Sequence, residues 1–164
     1  DERGFSVTRG GFYTMGPFLM GAAAGPIGGW LSDRLSERYG KRIGRCGLSG
    51  VSMFFTGFLL LFGATTKNPI LAVVLLSLSI GVLYLSVSSF WAVTIDLTRT
   101  YAGTASGFMN MGGNLGGTVS PSLTPYLAQN YNWETSIMVM SGLCVVGALC
   151  WAGLHPEREI DFSD

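Results

Sequence analysis

Apolar residues run along this chain of 164 residues in five long stretches that contain no Asp, Glu, Lys or Arg. These stretches cover residues 10–32, 46–66, 68–95, 100–133 and 135–156. Because an α-helix rises about 1.5 Å per residue, about 20 apolar residues cross a hydrocarbon core of roughly 30 Å. Each stretch is therefore long enough to cross a bilayer once. The pattern predicts five transmembrane helices, at about 12–31, 46–65, 70–94, 103–127 and 135–155.

Small residues are abundant inside these stretches, and the chain contains 24 glycines. In membranes, small residues concentrate where helices touch one another. We therefore expect an all-α membrane protein whose helices pack into one helical domain over residues 1–164. Only 12% of the residues are charged, about half the average of ~25% for soluble proteins. The pattern excludes a soluble nucleic-acid binder, a secreted disulfide scaffold and a disordered tail.

The basic residues are distributed unevenly among the connecting segments. Five of the ten lie between Ser32 and Arg45, whereas the second connection contains only Lys67 and the fourth contains none. By the positive-inside rule, the first connection is cytoplasmic. Alternation then places Arg99 and the tail after Pro156 inside as well, which gives seven basic residues inside and three outside.

The first and fourth predicted helices share a composition, because both are rich in glycine and contain two prolines each. The second and fifth helices are plainer and contain no proline. This order fits inverted three-helix repeats, a transporter design, in which the first repeat lacks its first helix. We therefore expect one more helix before residue 1.

A short run between the first two helices carries the strongest motif. From Gly29 to Arg34 it reads G-W-L-S-D-R, and further basic residues follow up to Arg45. An acid beside several cations at a helix end favours ion pairs that form and break. The alternative is an ordinary cytoplasmic loop, which needs neither the acid nor the glycine. The run resembles the signature G-x-L-x-D-R of the major facilitator superfamily, and the late G-K-R at positions 40–42 suits the C-terminal half of that twelve-helix fold.

The resemblance implies a cytoplasmic gate at this end of the helices. We expect it to comprise the residues Gly29, Asp33, Arg34, Arg42 and Asp96. For Asp96, at the end of the third helix, two interpretations remain open. One is a charge relay with the first connection, and the other is an ordinary interfacial pair with Arg99.

The fourth predicted helix carries glycines and two amides at helical spacing. Asn110 and Asn114 are four residues apart, so they share one helix face and are costly within a membrane unless they have partners. A hydrogen bond between helices and a polar cavity wall are both compatible with this pattern. The run S-G-F-M-N-M-G-G-N-L-G-G at 106–117 looks like helix eleven of the anion:cation symporter group. That group includes hexuronate, glucarate and galactonate transporters and the vesicular glutamate and sialic-acid carriers.

The third predicted helix has a stripe of polar and small residues spaced by three or four positions. Its members are Ser77, Gly81, Tyr84, Ser88 and Trp91. Such a stripe faces either protein or water, so packing against a neighbouring helix is the alternative to a cavity wall. The symporter resemblance implies hydroxyl and aromatic residues in a central cavity, and we expect substrate binding by Tyr84, Ser88 and Trp91 together with Asn110 and Asn114.

We therefore interpret the chain as helices eight to twelve of a secondary transporter. Its substrate is expected to be a small organic anion, a sugar acid or another carboxylate, moved by alternating access with H⁺ or Na⁺ as the coupling ion. Because no Asp, Glu or His lies in the middle of a predicted helix, the coupling residue is expected in a missing N-terminal half. The lipid bilayer is a further expected partner, and no nucleic-acid partner is expected. The expected location is the inner membrane of a bacterium.

A non-transporting membrane scaffold or receptor subunit is the alternative function, although the polar stripes count against it. We expect no enzyme activity. The run G-L-S-G at 47–50 matches the G-x-S-G motif of rhomboid proteases, but the single histidine, His155, lies at the end of the last helix instead of within the membrane. No cofactor and no metal site are expected, because Cys46, Cys144 and Cys150 lack metal-ligand spacing.

Overall fold

The computed structural model of the chain describes residues 7–98 and 100–157, with side chains from residue 15 onward. These residues form helices and connections with no strand, which confirms the predicted all-α class. The five helices are α1 (Val7–Tyr39), α2 (Leu48–Thr65), α3 (Pro69–Leu97), α4 (Ala102–Asn130) and α5 (Trp133–Ala152). A π-helical turn, Arg42–Gly47, leads into α2. The predictions for Arg99 and for the tail from Arg158 onward fall outside the described residues.

The first helix is longer than the apolar pattern predicts. The sequence places a loop from Ser32 onward, but α1 continues to Tyr39. Charged residues end the apolar stretch, yet they are compatible with a helix that extends beyond the membrane. The helix ends at Gly40, whose φ of +89° is a left-handed conformation that glycine adopts without steric cost.

The turn between α1 and α2 folds back tightly onto α1. Gly44, inside the π-helical turn, is buried, and a Cβ atom there would lie 2.5 Å from the Cα atom of Ser36. Only glycine therefore permits this approach. On the opposite side of the bundle, Asn68 and Asn132 cap α3 and α5 with side-chain oxygens that accept backbone N–H groups, as expected of N-cap residues.

Helix α3 occupies the centre of the bundle. It packs against α1 on one side and against α2 on the other, and α5 packs on α2. Helix α4 is held mainly near its two ends. Thr94 of α3 and Ser106 of α4 share a hydrogen bond of 2.7 Å between their hydroxyls, and the Ser136 hydroxyl of α5 donates to the Thr124 carbonyl at 2.8 Å.

Small and hydroxyl-bearing residues fill the interior, whereas large apolar side chains such as Phe18, Phe58 and Leu149 are exposed. Three more interhelical hydrogen bonds repeat the chemistry of the Ser136–Thr124 bond, in which a hydroxyl donates to a carbonyl. They join Ser88 to Gly25 at 3.0 Å, Thr56 to Ser79 at 3.3 Å, and Ser141 to Gly57 at 2.6 Å. This arrangement is the reverse of a soluble core and is typical of helices that pack within lipid.

Among the described residues, three helical segments are long and apolar enough to cross a membrane, namely Arg42–Thr65, Pro69–Leu97 and Trp133–Ala152. Helices α1 and α4 have ample length, 33 and 29 residues. Their glycines, prolines and polar residues lower their hydropathy. The assignment of these two helices as membrane spans therefore rests on their length and on their place in the bundle.

A matched pair of glycines in α1 tests the packing against α3. A Cβ atom at Gly28 would lie 2.6 Å from the Cα atom of Leu85, whereas a Cβ atom at Gly25 would meet nothing within 4 Å. We expect Gly28→Ala to lower the free energy of unfolding by about 1–3 kcal/mol, because backbone must shift to admit the methyl group. Gly25→Ala should be neutral or stabilising. Thermal unfolding in detergent measures both, and equal stability of the two variants would contradict the α1–α3 contact.

The alternation of helices predicts opposite sides for the end of α1 and the start of α5. Reporter fusions after Tyr39 and after Asn132 should therefore report opposite compartments, with Tyr39 in the cytoplasm because its neighbouring segment carries the basic residues. A phosphatase active only outside and a fluorescent protein active only inside give independent readouts. The same compartment at both positions would be incompatible with this arrangement.

Candidate functional site

Two carboxylates and two cations form a cluster where α1, the π-helical turn and α3 meet. Arg45 lies at its centre, with Nη1 at 2.6 Å from Asp33 Oδ1 and Nε at 3.3 Å from Asp96 Oδ2. Lys41 Nζ contacts the other oxygen of Asp96 at 2.7 Å. The Asp96 and Arg45 side chains are 13% and 16% exposed, whereas Asp33 is 65% exposed. The Arg45–Asp96 pair is therefore the better shielded of the two pairs that Arg45 makes.

The buried hydroxyl of Ser32 holds this cluster against the helices. It donates to the Gly44 carbonyl at 3.0 Å and accepts from Arg45 Nη1 at 3.2 Å and from the Ser89 hydroxyl at 2.9 Å. One hydroxyl thus joins α1, the π-helical turn and α3. Because its single donor and both acceptor positions are used, it fixes where the Arg45 guanidinium lies.

The expected gate residues divide into two groups. Asp33 and Asp96 lie in the cluster, and Asp96 contacts the first connection as the charge-relay hypothesis requires. Gly29 lies outside it, and a Cβ atom there would be 3.3 Å from Ser88 Oγ. Within residues 15–98 and 100–157, Arg34 and Arg42 make no ion pair. The Arg34 guanidinium lies 5.4 Å from the centre of the Trp30 ring.

Sequence reasoning did not assign roles to Lys41, Arg45, Ser32 or Ser89. The basic residues of this segment were all visible, but spacing along the chain does not indicate which of them meets Asp96. Ser32 and Ser89 are small residues at the ends of apolar stretches, and nothing in the sequence distinguishes them from other packing serines. Their roles emerge only from the way the π-helical turn is folded against α1.

The polar stripe on α3 largely faces α1. A Cβ atom at Gly16 would lie 3.0 Å from Ser77 Oγ, and one at Gly81 would lie 3.2 Å from the Cβ atom of Met20. Ser88 donates to the Gly25 carbonyl. These contacts show that α1 and α3 run parallel along the stripe, with the small residues of each helix against the other.

Tyr84 and Trp91 retain exposed surface on α3, with 44% and 46% of each residue accessible. The ring of Tyr84 covers Gly21, where a Cβ atom would lie 3.4 Å from the ring. Trp91 is one turn from Thr94, which contacts Ser106 of α4. Tyr84 therefore lies at the edge of the α1–α3 interface, whereas Trp91 lies one turn from the bond between α3 and α4.

Helix α4 presents an open face that carries both asparagines. Asn110 and Asn114 are exposed, and the Asn114 amide nitrogen donates to the Asn110 carbonyl at 2.9 Å. Cβ atoms built on the α4 glycines would meet nothing within 4 Å; these glycines are Gly103, Gly107, Gly112, Gly113, Gly116 and Gly117. No described residue buries this face.

The spacing of residues along α3 and α4 places Asn110 and Trp91 at the same level of the bundle. Ser106 and Asn110 are four residues apart on α4, and Trp91 and Thr94 are three apart on α3, so each pair shares a face. Because α3 and α4 run in opposite directions, Trp91 and Asn110 both lie one turn beyond the Thr94–Ser106 bond. The bundle thus combines a tightly bonded, charged end with an exposed polar wall, formed by Trp91 of α3 with Asn110 and Asn114 of α4.

Comparison with known proteins assigns the chain to a family. The profile of the Major Facilitator Superfamily matches residues 1–162. A probable sulfoacetate transporter of Cupriavidus necator is 33% identical over the whole chain, which covers 39% of that relative. The hexuronate transporter of Bacillus subtilis is 29% identical over 91% of the chain and 36% of the relative. The D-galactonate transporter of Escherichia coli is 28% identical over 92% of the chain and 35% of the relative.

The chain therefore spans less than two fifths of the length of these relatives. Their names all describe carriers of organic anions, in agreement with the group that the fourth helix resembles. The family match covers nearly every residue, and the apolar helices with their small, hydroxyl-bearing contacts are those of a multi-pass integral membrane protein. This chain belongs to the major facilitator superfamily.

Proposed function

We propose that the chain forms the C-terminal helices of a secondary transporter for a small organic anion, a sugar acid or another carboxylate. The observation that carries this proposal is the ion-pair cluster around Arg45, which joins three segments at one end of the bundle. The substrate class is supported by relatives named for sulfoacetate, hexuronate and galactonate. The inner membrane of a bacterium is the proposed location.

The cluster is proposed to act as the cytoplasmic gate. Its contacts are side-chain ion pairs and hydrogen bonds, so they can separate and form again without any change in the helices themselves. Asp33, on the exposed side, is the member most easily released to water. When the cluster is intact, the ends of α1 and α3 are held together, which favours a closed cytoplasmic side in alternating access.

The substrate is proposed to bind along the polar wall that α3 and α4 present. Asn110 and Asn114 supply amide groups, Trp91 and Tyr84 supply ring faces for the C–H groups of a sugar acid, and the Ser88 hydroxyl keeps an acceptor position beyond its bond to Gly25. The open face of α4 leaves room for such a ligand. Held in this way, a polyol acid would contact two helices at once.

The coupling ion is proposed to be H⁺ or Na⁺, bound outside this part of the protein. The central portions of all five helices contain no Asp, Glu or His, so they offer no group that titrates there. A cation that pairs with the substrate carboxylate would likewise come from the remaining helices. Rocking of those helices against this bundle would then expose the site to each side in turn.

Substitutions in the cluster should lower transport in proportion to the burial of the ion pair that is lost. Asp96→Asn removes a carboxylate that is 13% exposed, and we expect about a tenfold loss in the transport rate, since a charge-assisted hydrogen bond contributes about 1.5–3 kcal/mol. Asp33→Asn should lower the rate less, because exposed pairs contribute less. Uptake of labelled hexuronate, galactonate or sulfoacetate into proteoliposomes measures both variants of the full-length protein.

Arg34→Gln is the matched control for the cluster. Arg34 is adjacent to Asp33 in the chain and has the same charge as Arg45, but it lies on Trp30. If the cluster is the gate, Arg45→Gln should impair transport far more than Arg34→Gln at equal amounts of folded protein. Equal impairment would point to a general effect of positive charge at this face.

Substitutions on the polar wall should raise the apparent KM for the anion. Asn110→Ala and Trp91→Ala each remove one contact to the proposed substrate. Loss of one hydrogen bond to a bound polar group costs about 1–3 kcal/mol, so we expect roughly a 5- to 150-fold increase for Asn110→Ala. Initial rates of uptake over a range of substrate concentrations give the KM directly.

Asn130→Ala controls for the loss of an amide elsewhere on α4. Asn130 ends the same helix, and its amide nitrogen donates to the Tyr126 carbonyl at 2.8 Å. We expect an unchanged KM for this variant. An increase shared by Asn110→Ala and Asn130→Ala, or an unchanged KM in all variants, would place the binding site elsewhere.

A further inference from the structure

A groove of about 640 Å³ runs along the outer surface between the π-helical turn and the end of α5. Its volume lies within the range of ~300–1,000 Å³ that small-molecule pockets occupy. The groove belongs neither to the cluster around Arg45 nor to the polar wall of α3 and α4. It lies at the charged end of α2 and α5, two of the three helices whose composition suits a membrane span.

The walls of the groove are apolar and well supported. Ile43 and Val51 line one side, and Trp151 lines the other. The Trp151 ring stacks on Phe90 with centroids 5.1 Å apart and planes at 19°, so it cannot easily rotate into the groove. The space exists because Gly47 and Gly50 contribute no side chains on the α2 side.

The mouth of the groove is polar and carries one cation and one carboxylate. Arg42, Tyr39 and Glu157 line it, and the Arg38 guanidinium lies 5.4 Å from the centre of the Tyr39 ring. Neither arginine makes an ion pair within residues 15–98 and 100–157. The Arg42 guanidinium is thus available to an anionic group at the mouth, beside an aromatic ring of the kind that anchors proteins at the membrane surface.

We propose that this groove binds an anionic diacyl phospholipid of the cytoplasmic leaflet. The phosphate pairs with Arg42, and the first part of one acyl chain lies along Ile43, Val51 and Trp151. Basic pockets between helices at the cytoplasmic surface are suited to anionic headgroups, and a free phosphate would leave the apolar walls uncovered. The lipid would brace the π-helical turn against α5 and so support the segment that carries Arg45.

Lipid binding to the full-length protein tests the proposal. Native mass spectrometry of protein extracted from mixed nanodiscs, with phosphatidylglycerol and phosphatidylcholine in equal amounts, reports which lipid is retained. Arg42→Gln should lower the retention of phosphatidylglycerol about fivefold, since a cation near an anionic surface contributes about 1 kcal/mol. Arg34→Gln, at the same end of the bundle but outside the groove, should retain it as the unmodified protein does.

Two further variants distinguish the effect of the groove's shape on lipid binding from the effect of its charge. Gly47→Leu fills the groove without touching a charge, and a Cβ atom there would approach only its own turn, at 3.8 Å from an Ile43 methyl group. We expect it to lower retention of both lipids. Glu157→Gln removes the competing carboxylate and should strengthen phosphatidylglycerol binding, whereas a lipid held through an ammonium headgroup would be weakened.

Several outcomes of these lipid-binding measurements would each overturn the proposal. They are equal retention of the two lipids by the unmodified protein, equal losses in the Arg42 and Arg34 variants, unchanged binding in Gly47→Leu, and weaker phosphatidylglycerol binding in Glu157→Gln. A photo-reactive residue at position 51 should cross-link to lipid. Cross-linking to the chain's own acidic tail, residues 158–164, in place of lipid would also overturn it.

Discussion

The hydrocarbon core of a bilayer offers no hydrogen bonds to a protein, and apolar side chains pack against lipid as favourably as against one another. This constraint governs how the helices are joined. Their contacts depend on close approach and on hydroxyl groups that find a carbonyl within the bundle. Gly28 permits the approach of α1 to α3, while Ser88 and Ser141 supply interhelical bonds. The large apolar side chains are left to face outward, where lipid accepts them.

The same constraint explains why charge is gathered at one end. Asp33, Arg45 and Asp96 lie where α1 leaves the apolar stretch and α3 reaches its last turn, so the ions can remain partly hydrated. Ser32 then connects this charged end to the helices. Hydrogen bonds and ion pairs join α1 firmly to the π-helical turn and to α3. Helix α4, in contrast, is held mainly near its ends, and its glycine-rich face remains open. In the proposed transporter, the first part would act as one stable unit and the open face would be available to a ligand or to other helices.

Hydrophobic patterning was sufficient to predict the number, type and approximate position of the helices, because length and apolar content depend only on local sequence. It failed at the end of α1, where the charges mark the end of the apolar stretch but the helix continues to Gly40. The stripe on α3 was found by spacing, yet its orientation toward α1 was not, since a small polar face suits a neighbouring helix and a cavity equally well. The sequence does not distinguish Arg45 from the neighbouring basic residues. The fold of the π-helical turn places Arg45 next to Asp96.

Arg45 and Asp96 are proposed to act as one unit at the charged end of the bundle. A double-mutant cycle with Arg45→Gln and Asp96→Asn, measured as free energies of unfolding in detergent, tests it most directly. We expect a coupling energy of about 1 kcal/mol or more, because the pair is shielded and hydrogen-bonded. Effects that add within about 0.3–0.5 kcal/mol would contradict it.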